Sequence, residues 1–394
     1  MNPTFLAILS CNYGGGHRRV GEAIAAEWEA GTGGRVEIVD FFAKFVHPVF
    51  DAITKFSYIQ SVRRAPGLYG MFYKMTGEIR PDSVVQRAIN RMGMERLDRY
   101  LAAERPDVVC CVHCTPAGTM SDLKSAHRTT VPCLTVITDY VTHSQWIHPH
   151  VERYCVPNAS VRDGLLTRGI PPDRIAVTGL PIEKKFLRPL DRDALRTRLG
   201  FSPGPPVILV MAGAYAMLGG VLDVVGVLAE FPRPLQALVV CGHDRRLEEQ
   251  VRAQAARSPH QFQVFGYVDT VEELMTASDL LVTKAGGVTV SEALTKRLPM
   301  LIYRPIPGQE EGNTRFLLEH GAAMAPRTPE ELRETLGDLL AYPDRLSAMR
   351  DAAARLCRPD ATQAVVAHLA AVAAATGIET RSSEMRPIIS SPAS

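Results

Sequence analysis

The chain reads as an α/β protein of two doubly wound domains, on three observations. Short, apolar, β-branched runs alternate with helical stretches of roughly 10–15 residues. The runs are apolar on both faces, as parallel strands covered by helices are. They fall into two series, separated near Pro181–Pro189 by a segment rich in proline and charge. A length of 394 residues fits two cores better than one.

The first series is Phe5–Cys11, Val36–Asp40, Val108–Val112, Leu134–Thr138 and Ile175–Thr178. The second is Val207–Met211, Ala237–Cys241, Gln263–Phe265, Leu280–Thr283 and Met300–Tyr303. Residues 1–185 are expected to form the first domain and 186–360 the second. An Ala-rich helix, 361–376, should turn back towards the first domain. The Ser/Pro-rich stretch 377–394 is expected to be a disordered tail.

Composition narrows the function classes. Apolar residues are 46% and charged residues 22%, which excludes a disordered chain, a fibrous repeat and a polytopic membrane protein. Lys plus Arg is 44 against 42 for Asp plus Glu, so no bulk nucleic-acid binder is expected. Eight cysteines are too few for a disulfide scaffold, and Cys110–Cys111 reads as a buried strand end. Reduced thiols point to the cytosol. The opening MNPTFLAILSC has no basic region, so it reads as a first strand and not a signal peptide. Leu199–Leu222 has no charge, but Pro203, Pro205 and Pro206 break any spanning helix. Asp191-Arg192-Asp193 has the D-x-D form of some metal sites. After Pro189 and before a polar helix it reads as a helix cap. No metal is expected.

Chemistry concentrates in the loops after strands. The first strand runs into Gly14-Gly15-Gly16-His17, and a helix follows. A glycine turn at a helix N-terminus presents free backbone N–H groups, which makes an anion site. Arg19 stands where a dinucleotide fingerprint needs its third glycine. His17 is either a cap of the turn or a neutral base, since a helix N-terminus disfavours imidazolium. Thr283–Leu294 repeats the arrangement with Gly286, Gly287 and Thr289. Glu292 lies one turn in, suited to vicinal hydroxyls or simply favoured by the helix dipole. Pro305–Asn313 presents Gln309 and Glu310 at a strand's C-terminal end, where open α/β sheets bind ligands. Asp139 and His143, in TDYVTHSQW, are further acid–base candidates.

SCNYGGGHRRVGEAI, VITDYVTHSQW, GLPI, FGYVDTVEELM, TKAGGVTVSEAL and PIPGQEEGN stand in that order in the chain. Together they resemble the monogalactosyldiacylglycerol synthase and processive diacylglycerol glucosyltransferase group of glycosyltransferase family 28. The resemblance spans roughly residues 5–370 and extends more distantly to the peptidoglycan-precursor N-acetylglucosaminyltransferase. It implies a GT-B fold, two facing Rossmann-like domains with the site in the cleft. It implies an inverting, metal-independent transfer of a hexose from a UDP-sugar, which is a co-substrate; no cofactor is expected. The second domain would take the donor. Carried over, the Val268 backbone meets the uracil and Glu292 the ribose. Gly286, Gly287, Thr289, Gly213 and Ala214 meet the diphosphate, and Gln309 and Glu310 the sugar. The first domain would take a diacylglycerol-type lipid, with His17 as base and Gly14, Gly15 and Gly16 around it. A non-lipid acceptor, an epimerase and a nucleotide-sugar binding module stay open as alternatives.

Residues 44–77 hold seven of the 26 aromatics, and five basic residues there oppose one acid. Lys55, Arg63 and Arg64 are the cations expected to meet an anionic membrane surface. The chain is thus expected to sit peripherally on the inner face of the cell membrane.

Overall fold

The computed structural model describes residues 4–11, 15–65, 67–68, 70–71, 75, 90–214 and 218–384. The first domain runs β1 (Phe5–Ser10), α1 (Gly16–Thr32), β2 (Arg35–Asp40), a π-helical turn (Phe42–Val46), α2 (Pro48–Arg64), α3 (Met94–Glu104), β3 (Val108–Cys111), α4 (Cys114–Ser125), β4 (Cys133–Val136), β5 (Arg153–Val156), α5 (Ala159–Leu166) and β6 (Ile175–Val177). Its parallel sheet has the order β2-β1-β3-β4-β5-β6. Phe5–Ser10 and Val108–Cys111 are buried throughout, which is why they read as unbroken apolar runs.

The second domain runs α6 (Arg192–Arg198), β7 (Val207–Met211), α7 (Val221–Ala229), β8 (Gln236–Val240), α8 (Arg245–Ala255), β9 (Gln261–Phe265), α9 (Val271–Ala277), β10 (Leu280–Thr283), α10 (Gly287–Thr295), β11 (Met300–Ile302), α11 (Gln309–Glu319), β12 (Ala323–Met324), α12 (Pro329–Ala341) and α13 (Pro343–Leu356). Its parallel sheet has the order β12-β11-β10-β7-β8-β9. Each sheet is covered on both faces by helices, and each face has its own apolar cluster.

The last helix, α14 (Ala361–Glu384), returns to the first domain. Val365, Val366, Leu369 and Val372 share a core cluster with Leu6, Ile8 and Val20. Helix α14 also corrects the expected tail, because it continues past 376 to Glu384. Gly377 costs only about 1 kcal/mol in a helix, and no proline follows until Pro387. Residues 385–394 lie outside those described.

Strands β5 and β12 add to the ten expected. Asp191 does cap α6: its Oδ1 accepts from the N–H groups of Asp193 and Ala194, both at 3.0 Å. Cys110 and Cys111 are buried in β3, and neither is in a disulfide.

The two domains interlock through the loop after β4. Tyr140 leaves the first sheet and enters the core of the second domain. Its ring stacks on Phe316 at 4.9 Å, its hydroxyl lies 2.6 Å from Ser291 Oγ, and its N–H donates to Asn313 Oδ1 at 2.7 Å. That plug seats the C-terminal strand edges of the two sheets against each other.

Candidate active site

Two helix N-termini meet in the cleft. Helix α1 starts from Gly15 at φ 83°, with no side chain capping it and no acid in its first turn. Helix α10 starts from Gly286, likewise without a side-chain cap or a first-turn acid. Their first turns nearly touch: a Cβ on Gly16 would lie 3.4 Å from Val288. A Cβ on Gly287 would lie 2.0 Å from the carbonyl of Thr138, so only glycine fits there. A Cβ on Gly15 would meet Ala214 at 3.7 Å. Gly15, Gly16, Gly286 and Gly287 therefore line one junction of two helix N-termini, with Gly213 and Ala214 beside it, suited to an anion. Gly14 lies outside the described residues.

His17 sits on the first turn of α1, half-buried. Its Nδ1 is 2.8 Å from the carbonyl of Val112 and 3.3 Å from Thr138 Oγ1. A carbonyl only accepts, so Nδ1 carries the proton and Nε2 keeps the lone pair. Burial pulls the pKa of His17 down to about 4, and the Val112 carbonyl offsets this only in part. His17 is therefore a neutral imidazole at physiological pH. His113 packs edge-on against it at 5.0 Å.

Glu292 is 1% exposed on α10, and its Oε2 has no hydrogen-bond partner. Burial pushes its carboxyl up to about 7 against the pull of Arg19. A buried carboxylate oxygen without a partner is costly and suits a ligand that brings hydroxyl donors. Glu310 is buried beside the α11 N-terminus. It pairs with Lys284 and accepts from Ile306 N–H at 3.0 Å. Thr289 is half-buried in the first turn of α10. Val268 packs on the second core, next to Tyr267, whose ring stacks on His243 at 4.3 Å. Gln309 opens α11, and its side chain lies outside what is described.

Asp139 follows Thr138 in the loop after β4. Burial raises its pKa to about 6; Asn313 and Lys284 resist this and Glu310 reinforces it. Asn313 Nδ2 lies 3.5 Å from Asp139 Oδ1. His143 is buried, and its Nδ1 accepts from Gln145 N–H at 3.3 Å, capping the short turn Ser144–Trp146. Lys55 lies half-buried on α2, and the side chains of Arg63 and Arg64 are outside the described part.

Two cations escape the sequence reading. Lys284 lies between the two glycine turns of the second domain. Its Cε would meet a Cβ on Gly213 at 3.5 Å, and its Nζ one on Gly286 at 3.1 Å. Arg19 reaches across the cleft to Glu292. The signal for Lys284 was its place directly after β10, ahead of Gly286-Gly287. Arg19 signals only as the residue that breaks the dinucleotide fingerprint.

Residues 17–182 match the monogalactosyldiacylglycerol (MGDG) synthase family, and residues 191–356 match the glycosyl transferases group 1 family. The chain is 31% identical over 365 residues to a processive diacylglycerol beta-glucosyltransferase of Bacillus cytotoxicus, covering 93% of this chain and 92% of that one. Among solved structures it is similar to Acinetobacter baumannii MurG, with a TM-score of 0.65 at 20% identity, covering 93% of this chain and 99% of that one. It is also similar to S. aureus MnaA solved with UDP, with a TM-score of 0.62 at 14% identity, covering 93% and 95%. With two facing parallel sheets, the fold is GT-B.

Proposed function

The chain belongs to the monogalactosyldiacylglycerol synthase and diacylglycerol glucosyltransferase group of family 28 glycosyltransferases, and on that premise we propose that it moves a hexose from a UDP-sugar to a diacylglycerol-type lipid with inversion. One observation carries the reading: a neutral histidine lies at the junction of two uncapped helix N-termini. The α10 amides and Lys284 meet the charge that develops on departing UDP, with no metal required. Glu292 takes the ribose hydroxyls, and the Val268 backbone takes the uracil. Gln309 and Glu310 take the sugar.

The acceptor hydroxyl attacks the anomeric carbon from the face opposite UDP. A bond forms from the acceptor oxygen to that carbon, and the bond from the carbon to the diphosphate oxygen breaks. The acceptor proton passes to Nε2 of His17. The Val112 carbonyl, holding Nδ1–H, then steadies the imidazolium. A positioned base of this kind is worth about 10²–10⁴ in rate.

The lipid reaches the site from the first domain. On α2, Val49, Ile53 and Phe56 are 58%, 59% and 65% exposed, at a spacing of four and then three residues. That spacing puts them on one helix face, with Lys55 beside it. Among the described residues no helix is long and apolar enough to cross a membrane. An apolar stripe flanked by cations lies on a bilayer surface instead, here the cytoplasmic face.

The test is an assay of UDP-sugars against diacylglycerol, with products separated by lipid chromatography. The expected result is a β-glycosyl lipid from an α-linked UDP-hexose. Donor hydrolysis without lipid product, at every donor tried, would overturn the reading.

A further inference from the structure

A second basin lies at the C-terminal end of α10, with a volume of about 570 Å³. Five cations line it: Arg188, Arg192, Lys296, Arg297 and Arg350. No Asp or Glu lines it among the described residues, although the whole chain has a net charge of only +2. Its floor is apolar, formed by Phe186, Met275 and Leu298.

The acid that pairs with the arginines of the basin is Asp279, and Glu272 lies near Lys296. Asp279 accepts from Arg192, from Arg196 at 2.6 Å, from Arg350 at 3.2 Å and from the Val207 N–H at 2.9 Å. One carboxylate thus answers three guanidinium groups, and Arg192 Nε remains buried without a partner. Lys296 donates to the Arg188 carbonyl at 3.2 Å, a neutral acceptor. Arg188 and Arg297 are exposed at the rim. Guanidinium groups around a partly apolar basin suit a phosphate, because the planar fork binds its oxygens in pairs and a doubly charged anion answers more than one cation.

The position gives the basin a consequence. The chain passes between the domains twice, before α6 and before α14. Phe186–Leu190 of the first crossing and Cys357 and Pro359 of the second both line the basin. The crossings are also tied together: Thr362 Oγ1 donates to the Ile182 carbonyl at 2.9 Å and lies 3.2 Å from its N–H. A ligand seated there touches both crossings at once.

We propose that this basin is a second ligand site, which binds a phosphate-bearing anion against the two interdomain crossings. The site does not depend on the donor or acceptor assignments made for the cleft. The test is calorimetry on the full chain with two probes, glycerol 3-phosphate and vesicles of phosphatidylcholine containing phosphatidylglycerol. The variants are Arg188→Glu with Arg297→Glu, and Arg188→Lys with Arg297→Lys. Wild type should bind at least one probe. The Glu pair should weaken that binding tenfold or more, the Lys pair much less, and UDP affinity should hold in both. Loss confined to glycerol 3-phosphate names a soluble phosphate ester as the ligand; loss confined to vesicles names a lipid headgroup. Binding that is equal in wild type and the Glu pair, or absent from wild type, overturns the proposal. A Glu pair that fails to fold transfers the test to Arg188→Gln with Arg297→Gln, read the same way.

Discussion

Arg19 Nη1 and Glu292 Oε1 lie 3.5 Å apart, an ion pair that joins the first helix of one domain to α10 of the other. Arg19 is partly exposed and Glu292 is not, so the pair places the cost of desolvation on the carboxylate. In the proposed reaction the ribose hydroxyls satisfy the Glu292 oxygen that lacks a partner. Glu292→Ala should therefore raise KM for the UDP-sugar and weaken UDP binding, with a smaller effect on kcat. Unchanged UDP affinity by calorimetry would remove Glu292 from the ribose site.

The same carboxylate carries a pH signature. Burial raises its folded pKa to about 7, above the ordinary 4.5. The folded state then holds this proton more tightly than the unfolded state between those two values. The stability it contributes is full below about 4.5 and is lost as pH rises through about 7. Glu292→Gln cannot ionise, so it should escape that loss. The melting temperature of the variant should gain on wild type between pH 5 and pH 8. A gap that stays constant across that range would show that Glu292 does not titrate there.

His17→Ala tests the base. The variant should lose about 10²-fold or more in kcat while UDP affinity stays nearly unchanged. Because burial holds the wild-type pKa near 4, the acid limb of its pH–rate profile should fall near that value, below the 6.5 of a free imidazole. The limb should vanish in the variant. A loss under about tenfold makes His17 a structural residue and passes the role to Asp139.

Much of the fold is legible in the sequence because buried parallel strands leave a strong local mark. Phe5–Ser10 and Val207–Met211 are apolar at every position or nearly so. Arg153–Val156 escapes because it is four residues long and begins on a charge, and Ala323–Met324 because two residues make no pattern. The glycine turns are legible for the same local reason. What joins them is not. Lys284 with Glu310, Arg19 with Glu292 and Tyr140 with Asn313 link residues far apart in the chain. No spacing rule carries those pairs; only the seating of two sheets edge to edge makes them neighbours.

Lys284 gives the sharpest test of how the leaving group is met. Its side chain lies between Gly213 and Gly286 and is held by Glu310. Lys284→Met should weaken UDP binding tenfold or more. It also leaves the buried Glu310 without its cation, which costs stability. Lys284→Met with Glu310→Gln removes both charges, so it should recover melting temperature without recovering UDP affinity. If the double variant binds UDP as wild type does, Lys284 serves only to neutralise Glu310.

In the proposed reading the membrane contact rests on one face of α2 and on its cations. Val49, Ile53 and Phe56 leave an apolar stripe in water, which a soluble helix has no reason to keep. Ile53→Ser with Phe56→Ser should reduce binding to vesicles at every salt concentration, because the lost area is apolar. Changing Lys55, Arg63 and Arg64 together to Glu should reduce it most at low salt, since each cation near an anionic surface is worth about 1 kcal/mol and salt screens it. UDP affinity should hold in both variants, because none of the changed residues belongs to the proposed donor site. Co-sedimentation with phosphatidylglycerol vesicles, measured at low and high salt, separates the two contributions. If neither variant changes it, the lipid is met by another part of the first domain and the α2 stripe needs a different explanation.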